Sequence, residues 1–112
     1  MLKIGQLMLA GGRWDGKQVV PSQWVDLSTS PLVPTAGSIR NSEEYGYQWW
    51  VTTADGLPAY AAVGLGGQVI EVVPELDLVV VVATAIPEVP RVQGAAFLAL
   101  VDQSIAPALA AP

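Results

Sequence analysis

The sequence predicts an α+β fold, an antiparallel sheet of three to four strands with N-terminal and C-terminal helices packed on it. Three observations carry this. Residues 64–84 run from a glycine-rich turn through a strand and a tight Pro-Glu-Leu-Asp turn into a second strand, and so short a connection forces antiparallel pairing. Residues 1–10 and 91–105 carry their apolar side chains at helical spacing,. The order of helices, then strands, then a helix belongs to α+β rather than to alternating α/β architecture.

Each element has a local reason. Leu2, Ile4, Leu7, Met8 and Leu9 partly fit an amphipathic helix over 1–10, stopped by Gly11-Gly12 as a C-terminal glycine signal,. Trp14-Asp15-Gly16-Lys17 is a turn, because Asp-Gly tolerates positive φ,. Pro21 or Ser22 opens a short helix through Ser28, with Trp24, Val25 and Leu27 inward,. The Pro/Ser/Thr-rich stretch 30–44 has no period and reads as a loop. A strand over 46–53 carries Tyr47, Trp49 and Trp50, the two tryptophans on opposite faces. Residues 54–58 form a turn, and 59–63 a short strand interrupted at Gly64-Leu65-Gly66-Gly67. Strands over 68–73 and 76–84 follow, and Pro87 and Pro90 close the next loop. The helix over 91–105 turns Val92, Ala95, Ala96, Leu98, Ala99 and Val101 inward. The tail 106–112 frays.

The strand over 76–84 is unusual. Leu78 to Ala83 shows no polar alternation, which calls for burial on both faces,. A chain of 112 residues can hardly cover both faces of such a strand alone,. The opening helix also lacks an N-cap. The chain is therefore expected to be a single partial domain, 1–112, of something larger.

Composition excludes several function classes. The net charge is −5, and the basic residues Lys3, Arg13, Lys17, Arg40 and Arg91 stand singly. Without a basic patch, nucleic acid is not an expected partner. There is no Cys and no His. That removes disulfides, thiolate metal sites, most zinc sites and a His general base. No metal-ligand spacing appears among Asp15, Glu43 and Glu44, and no cofactor is expected. Gly5 and Gln6 interrupt the first apolar run before it reaches signal-peptide length. No run approaches the ~18 apolar residues of a membrane span.

With the elements in place, the motif order resembles a known family. The pieces are Gly5-Gln6-Leu7-Met8-Leu9-Ala10-Gly11-Gly12-Arg13-Trp14-Asp15-Gly16-Lys17, then Tyr45-Gly46-Tyr47-Gln48-Trp49-Trp50, then Gly64-Leu65-Gly66-Gly67-Gln68, then Pro74-Glu75-Leu76-Asp77. In this order they look like the C-terminal part of the serine beta-lactamase-related hydrolases. That family spans class C beta-lactamases, low-molecular-weight penicillin-binding proteins, esterases and 6-aminohexanoate-dimer hydrolases. The resemblance covers Met1 to about Ala106. It implies a partial beta-lactamase/transpeptidase-like fold and acyl transfer by a Ser activated by Lys or Tyr.

Two of the family's three signatures are missing. No Ser at 22, 28, 30, 38, 42 or 104 has Lys three residues later, and Tyr45-Gly46-Tyr47 is not Tyr-x-Asn. In the family these motifs lie N-terminal to everything here. Aligning 67–75 on the family's Gly/Pro-Glu block places Ala59-Tyr60-Ala61 at the Lys-Thr-Gly-like triad, with a departure at every position. The resemblance then makes the Ala62 backbone N–H half of an oxyanion hole, since a backbone donor survives side-chain change. It puts Tyr60, Ala61 and Gly64 against substrate.

The residues themselves leave plainer readings open. Gly64, Gly66 and Gly67 either admit a ligand to the strand edge or simply turn the chain. Tyr60 either contacts substrate or stands as a half-exposed strand tyrosine. Of Trp49 and Trp50, either both pack in the core, or one does and the other lines a cleft or covers a helix. Glu71, Glu75 and Asp77 either suggest a carboxylate pair or stand apart, with Glu75 and Asp77 flanking a turn and solvated. Gln68 bonds the glycine loop. The expected function is a C-terminal fragment of a serine hydrolase for an ester, small amide or beta-lactam, inactive alone. The alternative is a non-catalytic binding or self-association module. Either way, the strand over 76–84 is expected to meet a missing N-terminal region or a second copy.

Overall fold

The computed structural model describes residues 1–39, 42–85 and 93–111. Six strands form one antiparallel sheet in sequence order: β3 (Val33–Ile39), β4 (Ser42–Tyr45), β5 (Trp50–Ala54), β6 (Leu57–Gly64), β7 (Gln68–Val73) and β8 (Leu78–Val82). A separate hairpin joins β1 (Arg13–Trp14) to β2 (Lys17–Gln18). The class is α+β, as expected, and the sheet is wider than three to four strands.

Helix α1 (Leu2–Leu9) ends where its glycines allow it to. Gly11 at φ +60° gives its N–H to Met8 O, and Gly12 at φ +85° gives its N–H to Leu7 O. These two bonds satisfy the last carbonyls of the helix in a Schellman turn. Asp15-Gly16 and Asp55-Gly56 both have positive φ at each residue, which matches the twist of the two-residue hairpins they close.

Helices cover both faces of the sheet. On one face Met8 of α1 and Val25 of α2 (Ser22–Ser28) pack with Trp49, Tyr60, Ile70 and Val72. On the other, α3 (Gln93–Leu100), a π turn (Val101–Ile105) and α4 (Ala106–Ala110) bring Leu98, Val101 and Ala106 onto Ala59, Ala61, Val69 and Val73. The alternation of β7 accounts for the split. Ile70 and Val72 go to α1, whereas Val69, Glu71 and Val73 go to the C-terminal helices.

Several expectations are corrected. The stretch 30–44 is not a loop but contains β3 and β4. Their pairing next to β5 compensates for weak local signals. Pro34 and the register shift between Pro34 and Ile39 are tolerated because β3 is an edge strand,. The strand expected over 46–53 begins only at Trp50, because Gln48 takes φ +66° and Gly46 N–H closes on Trp49 O in a turn. Trp24 and Leu27 are exposed; α2 buries Val25 and Ser28 instead, and Trp24 stacks on Tyr47. Ala96 is also exposed. The tail does not fray at 106, because Ala106 is buried and the helix continues to Ala110. The π turn just before it suits Pro107, which has no N–H for an i→i−4 bond. Pro87, Pro90, Arg91 and Val92 lie outside the described residues.

Strand β8 is only half-buried at all five positions. Val79 and Val81 lie on the α1 side; Leu78, Val80 and Val82 lie on the side of the C-terminal helices. The chain thus does cover both faces in part. What stays open is the side of the strand, since β8 pairs with β7 alone among the described residues.

Candidate functional site

An open cleft of about 310 Å³ lies where β6 turns into β7,. Tyr45, Gln48, Trp50, Ala62, Gly64 and Gln68 line it. Its position follows from unequal strand lengths. The register between β5 and β6 ends at Trp50 opposite Ala61. Ala62, Val63 and Gly64 continue, paired with Ile70, Val69 and Gln68 of β7. On the β5 side this segment of β6 has no strand partner, and its backbone fronts the cleft.

The glycine turn at the mouth is held rigidly. Gly66 and Gly67 have φ of +82° and +86°, and Gly67 N–H bonds Gly64 O. Gln68 Nε2 donates to Thr84 O at 2.7 Å, and Thr84 N–H donates to Gln68 Oε1 at 3.2 Å. The Thr84 hydroxyl then donates to Gly66 O. Gln68 therefore ties the loop to the end of β8 through Thr84, which refines its expected bond to the glycines. Leu65 at the tip is 85% exposed.

Strand parity separates only Ala61 from the other sequence-predicted residues; Tyr60 shares its face with Ala62 and Gly64 but lies further along β6, inside the core,. Ala62 and Gly64 line the cleft. Tyr60 lies in the core, edge-to-face with Trp49 at 5.3 Å. Burial, with the negative charge of Asp26 behind it, pushes its phenol up to about 12, so Tyr60 keeps its proton at neutral pH. Ala61 is fully buried with Val69 and Leu98 on the opposite face. Trp49 is the core tryptophan and Trp50 the cleft one. The Trp50 ring meets Tyr45 edge-on at 4.7 Å. Tyr45 and Gln48 had no signal beyond their place in the aromatic motif.

No nucleophile is assembled among the described residues. Ser28 donates to Val25 O and Ser42 to Glu44 O, and neither lines the cleft. The lining carries no charged side chain. The arrangement can hold an apolar or neutral group against aromatic rings and offer backbone hydrogen bonds, but it cannot activate an attacking group.

Among the described residues Glu71 is the one buried carboxyl group, 1% exposed, and it shares the face of Val69 and Val73, away from the cleft. Thr52 Oγ1 donates to its Oε1 at 3.4 Å, and its Oε2 has no partner. Burial pushes its pKa up to about 8; the Thr52 hydrogen bond pulls it down and the Asp102 charge pushes it up. Glu75 and Asp77 are exposed, as expected. No group of three or more potential metal ligands occurs among the described residues, and no helix there is long and apolar enough to cross a membrane. No protein-family model and no curated protein matches the chain.

Proposed function

We propose that this chain supplies one wall of the active site of a serine beta-lactamase-related hydrolase and is inactive alone. The chemistry is acyl transfer on an ester, a small amide or a beta-lactam. The nucleophile and its base come from a segment preceding these residues. One observation carries the reading: the backbone of Ala62–Gly64, paired with β7 but without a strand partner on the β5 side, fronts the cleft beside a glycine turn. In this reading the Ala62 N–H is half of the oxyanion hole and Gly64 lets substrate approach, with Tyr45 and Trp50 flanking the acyl group. Ala61 supports the strand from behind, and Tyr60 from the core beside the cleft. The uncharged lining favours a neutral ester or amide over the carboxylate of a beta-lactam.

The DNA upstream of the Met1 codon tests this directly. An in-frame Ser-x-x-Lys followed by Tyr-x-Asn supports the reading; a start signal at Met1 with neither motif overturns it. The isolated chain should not turn over p-nitrophenyl esters or a chromogenic beta-lactam. Turnover with fluorophosphonate labelling of one of its serines would also overturn it. The second reading, a non-catalytic self-association module, is favoured by the open side of β8.

A further inference from the structure

We propose that two copies of this chain pair through β8, antiparallel and centred on Val80, to give one continuous twelve-stranded sheet closed by a two-fold axis. This goes beyond the hydrolase reading and does not rest on it. The two ends of the sheet are not alike. β3 carries Pro34, a register shift and Ala36 at φ +54°, the irregularities that protect an edge. β8 is regular over all five residues, with no proline and no charge.

Helix α1 identifies the occupant as a second copy. Gly5 rests on Ile70 of β7 and Val79 of β8, so α1 straddles the last two strands. With strands about 4.8 Å apart, pairing β8 with its symmetry mate brings the two α1 helices about 10 Å apart. That is the normal distance for packed helices. Met1 lines the cleft beside β6, and Met8 packs with Tyr60 of the same strand. At about 100° per residue, Leu2, Gln6 and Leu9 then occupy the flank toward the edge. Leu2 is half-exposed. The same flank carries an open groove of about 330 Å³ between Gln6 and Ala10 of α1 and Arg13, Trp14 and Asp15 of the small hairpin. An antiparallel second α1 sets its Leu2 into this groove and brings its Lys3 to Asp15. Among the described residues α3 packs chiefly on β7 and the π turn on β5, and these helices meet β8 through the faces of Leu78, Val80 and Val82. A parallel pair would instead oppose Asp77 to Asp77, whereas the antiparallel pair sets Asp77 opposite Ala83.

The absence of cysteine makes the register measurable. Directly opposed residues have Cα atoms about 4.5–5.5 Å apart, within disulfide range. Val80→Cys sits on the axis and should oxidise to a disulfide dimer. Leu78→Cys and Val82→Cys should each fail alone and cross-link when mixed. Light scattering of the unmodified chain should give twice its 11.7 kDa mass. Leu2→Glu, at an exposed position, should weaken the dimer at least about tenfold. A monomer across about a hundredfold range of concentration, species larger than a dimer, or equal cross-linking at 78, 80 and 82 would overturn the proposal.

Discussion

Strands β7 and β8 are neighbours of similar length, and the less apolar of the two is the more buried. β7 holds Gln68 and Glu71, yet five of its six residues are buried. β8 is Leu-Val-Val-Val-Val, and every residue is only partly buried. Hydrophobicity does not explain the difference; place in the sheet does. β7 has a strand on each side and helices on both faces, while among the described residues β8 has a strand on one side only. The interior position is so closed that even a carboxyl group there is held out of water, and the apolar strand is left at the margin. Burial belongs to a position and its neighbours, and the sequence of one strand sets only what it would cost to violate it.

The largest effect should come from Glu71. Its folded pKa of about 8 lies above its ordinary value of 4.5, so the folded state holds the proton more tightly. Its contribution to stability is full below pH 4.5, declines as pH rises through about 8, and is flat beyond,. Glu71→Met should abolish this slope and stabilise the protein by about 3 kcal/mol at alkaline pH, where the unpaired charge is otherwise buried. Urea midpoints on both sides of the window check it. A flat wild-type profile would mean that β7 is more open than its geometry indicates.

A smaller effect separates the strands directly. Val72→Ala in β7 should cost about 2–3 kcal/mol and Val81→Ala in β8 about 1 kcal/mol, in proportion to the side chain each removes from water. Equal costs in dilute solution would break the comparison.

The smallest effect probes the helix that straddles both strands. A Cβ at Gly5 would overlap Val79 Cγ1 and lie 3.0 Å from Ile70 Cγ2. Gly5→Ala should cost about 1 kcal/mol net, because overpacking is partly offset by the gain in helix propensity. In a Val79→Ala background most of that cost should vanish. A double-mutant cycle by chemical denaturation measures the coupling, and an unchanged cost would place the strain against β7 alone.

Much of the fold was legible where local chemistry is strong. The glycine stop of α1, the two Asp-Gly turns and the run from Gln68 to Val82 all follow from φ preferences and short connections. Strands β3 and β4 were not legible, because Pro34, Thr35 and Ser42 carry no alternating pattern and the strands depend on pairing beside β5. The candidate site was half legible. The motif led to Ala62 and Gly64, but side-chain alternation along β6 sends Ala61 to the opposite face, and Met8, Val25 and Trp49 cover Tyr60 on the same face,. Gln48 entered the cleft through a turn that the sequence presents as strand, and Tyr45 from the end of β4, which the sequence does not present as a strand.

By itself the sequence determined the class of fold, the antiparallel order of the last strands, the absence of thiol and imidazole chemistry, and an apolar strand in need of cover. These rest on backbone sterics and composition, which act within a few residues or not at all. The tertiary structure alone decided that this strand is an edge among the described residues, that Glu71 is a buried carboxyl group, that β5 begins one residue short of Ala62, and that α1 spans the last two strands. Each of these depends on where segments distant in sequence end relative to one another, and no local preference encodes that.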